Sequence, residues 1–146
     1  MSKIVIIGAG AMGSAFALPC LDNNHDINIV GTHLENDFIN DLKKNNNLHP
    51  GLNVKIPQEI KIFKFDKFDE LLKSNVDLIV LGISSKGIEW VSDQLSRLYS
   101  GNKVPKLLML TKGLSIYNNE YELLVDKLER LLTERKISDV NISAVG

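Results

Sequence analysis

Three glycines near the start of the chain carry the first chemistry. Gly8, Gly10 and Gly13 stand in the spacing G-x-G-x-x-G, directly after the apolar run Lys3-Ile-Val-Ile-Ile7 and directly before an alanine-rich segment that begins at Ala11. Strand, tight turn and helix in that order make a seat for the pyrophosphate of a dinucleotide. Gly8 lets the chain reverse, Gly10 lets a phosphate approach the backbone, and Gly13 lets the helix lie close on the strand. The N–H groups at the helix start, at Ala11, Met12 and Gly13, then meet the negative charge together with the positive end of the helix dipole.

Further candidates stand where other apolar runs end. Asp26-Ile-Asn-Ile-Val30 passes into Gly31-Thr32-His33, with no carboxylate before Glu35. In NAD-specific sites an acidic residue near this place accepts the adenosine ribose 2'-hydroxyl. Its absence predicts tolerance of a 2'-phosphate, hydrogen-bonded by Thr32 and His33, and so favours NADP over NAD as the cofactor. The competing reading makes Thr32 only the cap of the next helix. Ser84 and Ser85 follow the run Val76–Ile83, where one caps a helix and Ser84 is placed to touch cofactor. Lys112, in Thr111-Lys-Gly-Leu114 behind Leu107–Leu110, sets an ammonium at a strand end. There it can pair with an anionic substrate or with charge developing on a carbonyl oxygen. The alternative is a solvated surface lysine. Cys20 reads as a small buried residue rather than a reactive thiol, and no metal site is assigned.

The elements that must position these residues follow from periodicity. Helices are expected over Ala11 to Asn24, with an irregularity at Pro19, over Leu34 to Lys44, Phe68 to Ser74, Gly87 to Tyr99, and Glu120 to Arg135. Strands are expected at the initial apolar run, at Asp26 to Val30, Ile60 to Phe65, Val76 to Ile83, Leu107 to Leu110 and Asp139 to Val145, and a loop over Asn45 to Gly51. Strands alternating with helices make an α/β fold, a doubly wound parallel sheet of the Rossmann dinucleotide-binding type. Ligands in such sheets sit beyond the carboxyl ends of the strands, where strand order reverses. Every candidate named above falls at such an end.

Composition sets outer limits. With 146 residues, 44% hydrophobic and 24% charged, the chain is expected to form one soluble domain. A formal net charge of -1 gives no general attraction to nucleic acid or anionic membrane. The first apolar run is too short for a signal peptide core or a membrane span. A single cysteine excludes an internal disulfide and fits a reducing cytoplasm.

Taken together, the glycine turn, Leu48-His-Pro-Gly-Leu-Asn-Val-Lys-Ile-Pro57, Gly82-Ile-Ser-Ser85 and Thr111-Lys-Gly-Leu114 resemble the N-terminal, nucleotide-binding half of the NAD(P)-dependent glycerol-3-phosphate dehydrogenase family. In that family the loop usually reads tyrosine-leucine-proline-glycine, where this chain has Leu48 and His49. The resemblance implies interconversion of dihydroxyacetone phosphate and sn-glycerol 3-phosphate. It also implies that Lys112 contacts both the substrate and the nicotinamide end, and that Gly146 opens a glycine-proline substrate loop. The family's second, acid/base lysine lies in a helical C-terminal domain, so residues 1–146 are expected to be the NAD(P)-binding domain alone, inactive by itself. The complete enzyme is expected to be a homodimer that takes a dinucleotide and a small phosphorylated substrate. Two alternatives are a ketopantoate reductase-like enzyme, whose strand-end motif is typically glutamine-asparagine-glycine, and a stand-alone nucleotide-binding module.

Overall fold

The computed structural model of the chain describes residues 1–145. Its central sheet has six parallel strands: β1 (Lys3–Ile7), β2 (Asp26–Val30), β5 (Lys61–Phe63), β6 (Leu78–Leu81), β7 (Lys106–Met109) and β10 (Ile142–Ala144). They lie in the order β10-β7-β6-β1-β2-β5. From β1 the chain winds outward through β2 and β5, then returns to β6 on the other side of β1 and winds outward again. The reversal falls between β1 and β6, which puts a crevice over the ends of those two strands. This is the expected doubly wound α/β sheet.

Alternation along the strands explains the two layers. Val5 and Ile7 of β1 face a core shared with Ile79 and Leu81 of β6, while Ile4 and Ile6 face the opposite core with Val80. Helices α3 (Phe68–Leu72), α4 (Ile88–Tyr99) and α5 (Leu124–Glu134) cover the first face. Helices α1 (Ala11–Asp22) and α2 (Asn36–Lys44) cover the second. A strand buried on both faces has no reason to carry polar residues, which is why β6 reads as an unbroken apolar run.

The expected elements are present: α1 to α4 are one or two residues shorter than expected, β5 is three shorter, and β6 and β10 are four shorter, while β1 and β2 keep their expected bounds. Helix α1 runs through Pro19 to Asp22, and the Asn23 N–H then bonds the Pro19 and Cys20 carbonyls. Two departures are larger. Leu48–His49 (β3), inside the expected loop, pairs with Val54–Lys55 (β4), just past its end, as a short antiparallel hairpin. The expected helix start at Glu120 is instead β9 (Glu120–Leu123), paired antiparallel with β8 (Leu114–Tyr117), and α5 begins only at Leu124. Asn118 and Asn119 between these strands have φ of 52° and 63°. Two successive left-handed residues make the hairpin turn whose twist matches its strands, and asparagine adopts that conformation more readily than most residues.

Among the described residues, no helix is long and apolar enough to cross a membrane.

Candidate functional site

At the sheet reversal, three glycines from separate elements lie against one another. Gly8 has φ of +110°, and a Cβ there would collide with the carbonyl oxygen of Gly82. A Cβ on Gly13 would lie 2.8 Å from the Gly8 oxygen, and one on Gly82 would lie 3.0 Å from the Gly13 Cα. The end of β1, the start of α1 and the end of β6 therefore approach at backbone distance. Gly10 differs, since a Cβ there would meet nothing within 4 Å. Its bareness serves open space rather than packing, as the backbone approach of a pyrophosphate requires.

Gly10 is the N-cap of α1 and provides no side-chain cap. The first bond of the helix runs from the Ser14 N–H to the Gly10 carbonyl, so the N–H groups of Ala11, Met12 and Gly13 precede the ladder. Ala11 and Met12 are exposed and Gly13 is buried. The first turn holds no acidic residue that would compete with an anion.

The residue in the middle of the turn is held by side chains that lie outside the glycine motif. The carbonyl of Ala9 accepts from the Ser14 hydroxyl at 3.2 Å and lies 2.9 Å from Nε2 of His49. His49 is buried, and its Nδ1 accepts from the Gly51 N–H at 3.1 Å, so Nε2 carries the proton donated to Ala9. The ring of Phe38 stands edge-on to it at 5.4 Å. The Ala9 N–H donates to both oxygens of Glu35, at 3.1 and 3.3 Å. Oε1 of Glu35 also accepts from the Thr32 N–H at 2.9 Å. Ser14, Glu35 and His49 were not among the residues expected at the site.

A cavity of about 560 Å³ opens beside this turn and is lined by Gly8, Gly10, Thr32, His33, Glu35 and Ser84, among others. Five candidates read from the sequence thus share one hollow. Beneath it His33 lies 5.0 Å from Trp90, and Trp90 packs against Phe65 and Phe68. The capping expected of these residues takes a different form. The Thr32 hydroxyl accepts from the Leu34 N–H, but the N-cap of α2 is Glu35. Ser84 is the N-cap of a short 3-10 turn, Ser85–Gly87, through its carbonyl and not its hydroxyl, and Gly87 caps α4 without a side chain. The expectation that no carboxylate reaches the end of β2 does not hold, because Glu35 folds back to Thr32.

Lys112 lies apart from these residues. It is exposed beside a smaller hollow of about 170 Å³, lined by Thr111, Gly113, Leu124 and Val145. The Thr111 hydroxyl donates to the Ile83 carbonyl and ties the end of β7 to that of β6. Among the described residues the Lys112 ammonium forms no ion pair. Gly146 lies outside the described residues. Cys20 is half-buried, and burial pushes its thiol pKa up, away from the reactive thiolate.

The family model for the NAD-dependent glycerol-3-phosphate dehydrogenase N-terminus matches residues 3–143. An NADP(+)-dependent glycerol-3-phosphate dehydrogenase of Archaeoglobus fulgidus is 30% identical over 92% of this chain and 39% of its own length. A glycerol-3-phosphate dehydrogenase structure from Coxiella burnetii superposes with a TM-score of 0.73 at 18% identity, over 98% of this chain and 40% of that one. A putative 2-dehydropantoate 2-reductase from Enterococcus faecalis has a TM-score of 0.63 at 21% identity, over 97% of this chain and 40% of that one. At such identities the superpositions show the fold alone. The chain spans about two fifths of the length of these relatives.

Proposed function

Since the chain belongs to the NAD-dependent glycerol-3-phosphate dehydrogenase N-terminal family, we propose that it is the nucleotide-binding part of such an enzyme. Residues 1–146 hold NAD(H) or NADP(H) for the interconversion of dihydroxyacetone phosphate and sn-glycerol 3-phosphate. The observation that carries this proposal is the glycine turn. Gly10 faces open space, uncapped N–H groups start α1, and a cavity large enough for an adenosine lies alongside.

The residues have distinct tasks. The N–H groups of Ala11, Met12 and Gly13 receive the pyrophosphate, while Gly8 and Gly13 bring α1 close to β1. Thr32, His33 and Ser84 border the adenosine end, with His33 held by Trp90. Lys112 stands past the end of β7 and is assigned to the nicotinamide end and to the phosphorylated substrate. Its ammonium anchors the substrate or stabilises negative charge on the carbonyl oxygen. A bound nicotinamide supplies the hydride, and the fold's part is to orient it and keep the site ordered. Gly146 is assigned to the substrate loop. The proton-donating lysine implied by the family resemblance is assigned outside residues 1–146. A cytoplasmic setting and a homodimeric complete enzyme belong to the same proposal.

Calorimetric titration of the 146-residue chain with NADH and with NADPH tests this. Saturable one-to-one binding of at least one is expected, with negligible turnover of dihydroxyacetone phosphate. Absence of binding by either at millimolar concentration overturns the proposal, and substantial turnover shows that the acid/base group is misplaced.

A further inference from the structure

Resting on the dinucleotide site proposed above, we infer that His49 is a positioning residue for the pyrophosphate: by gripping the Ala9 carbonyl it aims the Gly10 N–H into the seat. The two groups belong to one peptide unit. That peptide is trans, and in a planar trans unit the carbonyl and the following N–H point in opposite directions. Whatever fixes the Ala9 oxygen therefore fixes the Gly10 hydrogen.

The Ala9 oxygen is held twice, on the buried side of the turn. The Ser14 hydroxyl of α1 donates to it at 3.2 Å, and Nε2 of the buried His49 stands 2.9 Å from it. The Gly10 N–H is turned the other way, toward the side on which Gly10 borders the cavity of about 560 Å³. Among the described residues it donates to no backbone carbonyl. So placed, it adds a fourth donor to the N–H groups of Ala11, Met12 and Gly13. A peptide rotated by half a turn would present the Ala9 oxygen to the same space, where its partial negative charge opposes a phosphate.

The β3–β4 hairpin makes His49 a rigid support. The His49 carbonyl accepts from the Asn53 N–H at 2.8 Å, and Nδ1 accepts from the Gly51 N–H at 3.1 Å. The Phe38 ring of α2 stands edge-on at 5.4 Å. A Cβ on Gly51 would lie 3.2 Å from Cε1 of His49 and 3.4 Å from Cβ of Ala11, so the hairpin lies close against the first residue of α1. Packing alone would be met by an apolar side chain of similar size. The protonated nitrogen set against a carbonyl of the glycine turn is the part that packing does not require.

The experiment separates the bond to Ala9 from the other contacts of the ring. His49→Gln keeps a donor long enough to reach Ala9, whereas His49→Asn keeps an acceptor for the Gly51 N–H and stops short of Ala9. Both lose the ring. Dissociation constants of NADH and of adenosine are measured for the unaltered chain and both variants, with thermal melting of each. His49→Asn is expected to weaken NADH binding by at least about tenfold and His49→Gln by less than about threefold, while adenosine, which has no phosphate, changes by less than about threefold in both. Folded variants with equal NADH affinities, or with adenosine weakened in step with NADH, overturn the inference and leave the dinucleotide site standing. Amide NMR of the unaltered chain gives a check that needs no variant. On addition of NADH the Gly10 N–H resonance is expected to move with those of Ala11 and Met12, and a Gly10 resonance that stays while theirs move overturns the inference. An unaltered chain that binds neither NADH nor adenosine removes the site and the inference together.

Discussion

Ala9 is the peptide unit on which the site turns, and the groups that hold it come from α1, the loop after β2, and the β3–β4 hairpin. Ser14 and His49 bond its carbonyl and Glu35 its N–H. The glycines permit the turn, while these side chains fix it. Replacing His49 by alanine removes a buried donor and a ring packed on Phe38, at a cost of about 2 kcal/mol. A lowered urea midpoint with an unchanged slope checks this, and weaker cofactor binding should accompany it. Gly8→Ala is more severe, because it combines a disfavoured φ with collision against the Gly82 carbonyl. A loss of more than about 2 kcal/mol, or no soluble protein, is expected on expression and melting. The glycine spacing was legible in the sequence because it is local. Glu35 and His49 were not, since their partners lie 26 and 40 residues away and only the folded chain joins them.

At the scale of elements, the β8–β9 hairpin shows what periodicity conceals. Leu123, Leu124, Leu128, Leu131 and Leu132 read as one helical stripe, but the helix begins at Leu124 and the residues before it alternate as a strand. The signal was Asn118-Asn119 between two four-residue runs, a left-handed turn pair overridden by the regularity that follows. Leu114, Ile116, Tyr121 and Leu123 share one face of the hairpin and are exposed, whereas Ser115, Tyr117 and Glu122 face α5. Arg130 makes the junction, donating to Glu122 at 2.7 and 3.2 Å and lying over the Tyr117 ring at 3.7 Å. Its hydrogen bond is the main reason the Glu122 carboxyl titrates below the ordinary value of 4.5. A carboxyl depressed by folding contributes its stability above the unfolded pKa and loses it as pH falls through the folded one. The hairpin should therefore loosen as the pH drops below 4.5. Tyrosine fluorescence followed through acid titration reads this, and Glu122→Gln should lack that part of the transition. An identical acid response in the variant would assign the change to other carboxylates. Glycine at 113, with φ of +136°, bends the chain from the end of β7 into this hairpin, so Lys112 sits at the junction of sheet and hairpin.

For the whole molecule, strand order does the positioning. Reversal between β1 and β6 gathers Gly8, Gly10, Thr32, His33 and Ser84 around one cavity and leaves Lys112 at a second hollow farther along the sheet. The fold class was legible because alternating strands and helices admit few topologies, and buried strands advertise themselves as apolar runs. Which strand ends converge was legible only as a rule about where such sheets bind ligands. Separation of the two hollows predicts a separation of effects. Lys112→Met should weaken dihydroxyacetone phosphate binding to the NADH-loaded chain by at least about tenfold and NADH binding by a smaller factor, checked by calorimetry. The central claim, that the glycine turn holds a dinucleotide, is tested most directly at Gly10. A Cβ there meets no protein atom within 4 Å, so Gly10→Ala should fold with nearly unaltered thermal stability. The same methyl group occupies the space a pyrophosphate needs, and NAD(P)H should bind at least about tenfold more weakly. A folded Gly10→Ala chain that binds NAD(P)H as tightly as the unaltered one would contradict the account.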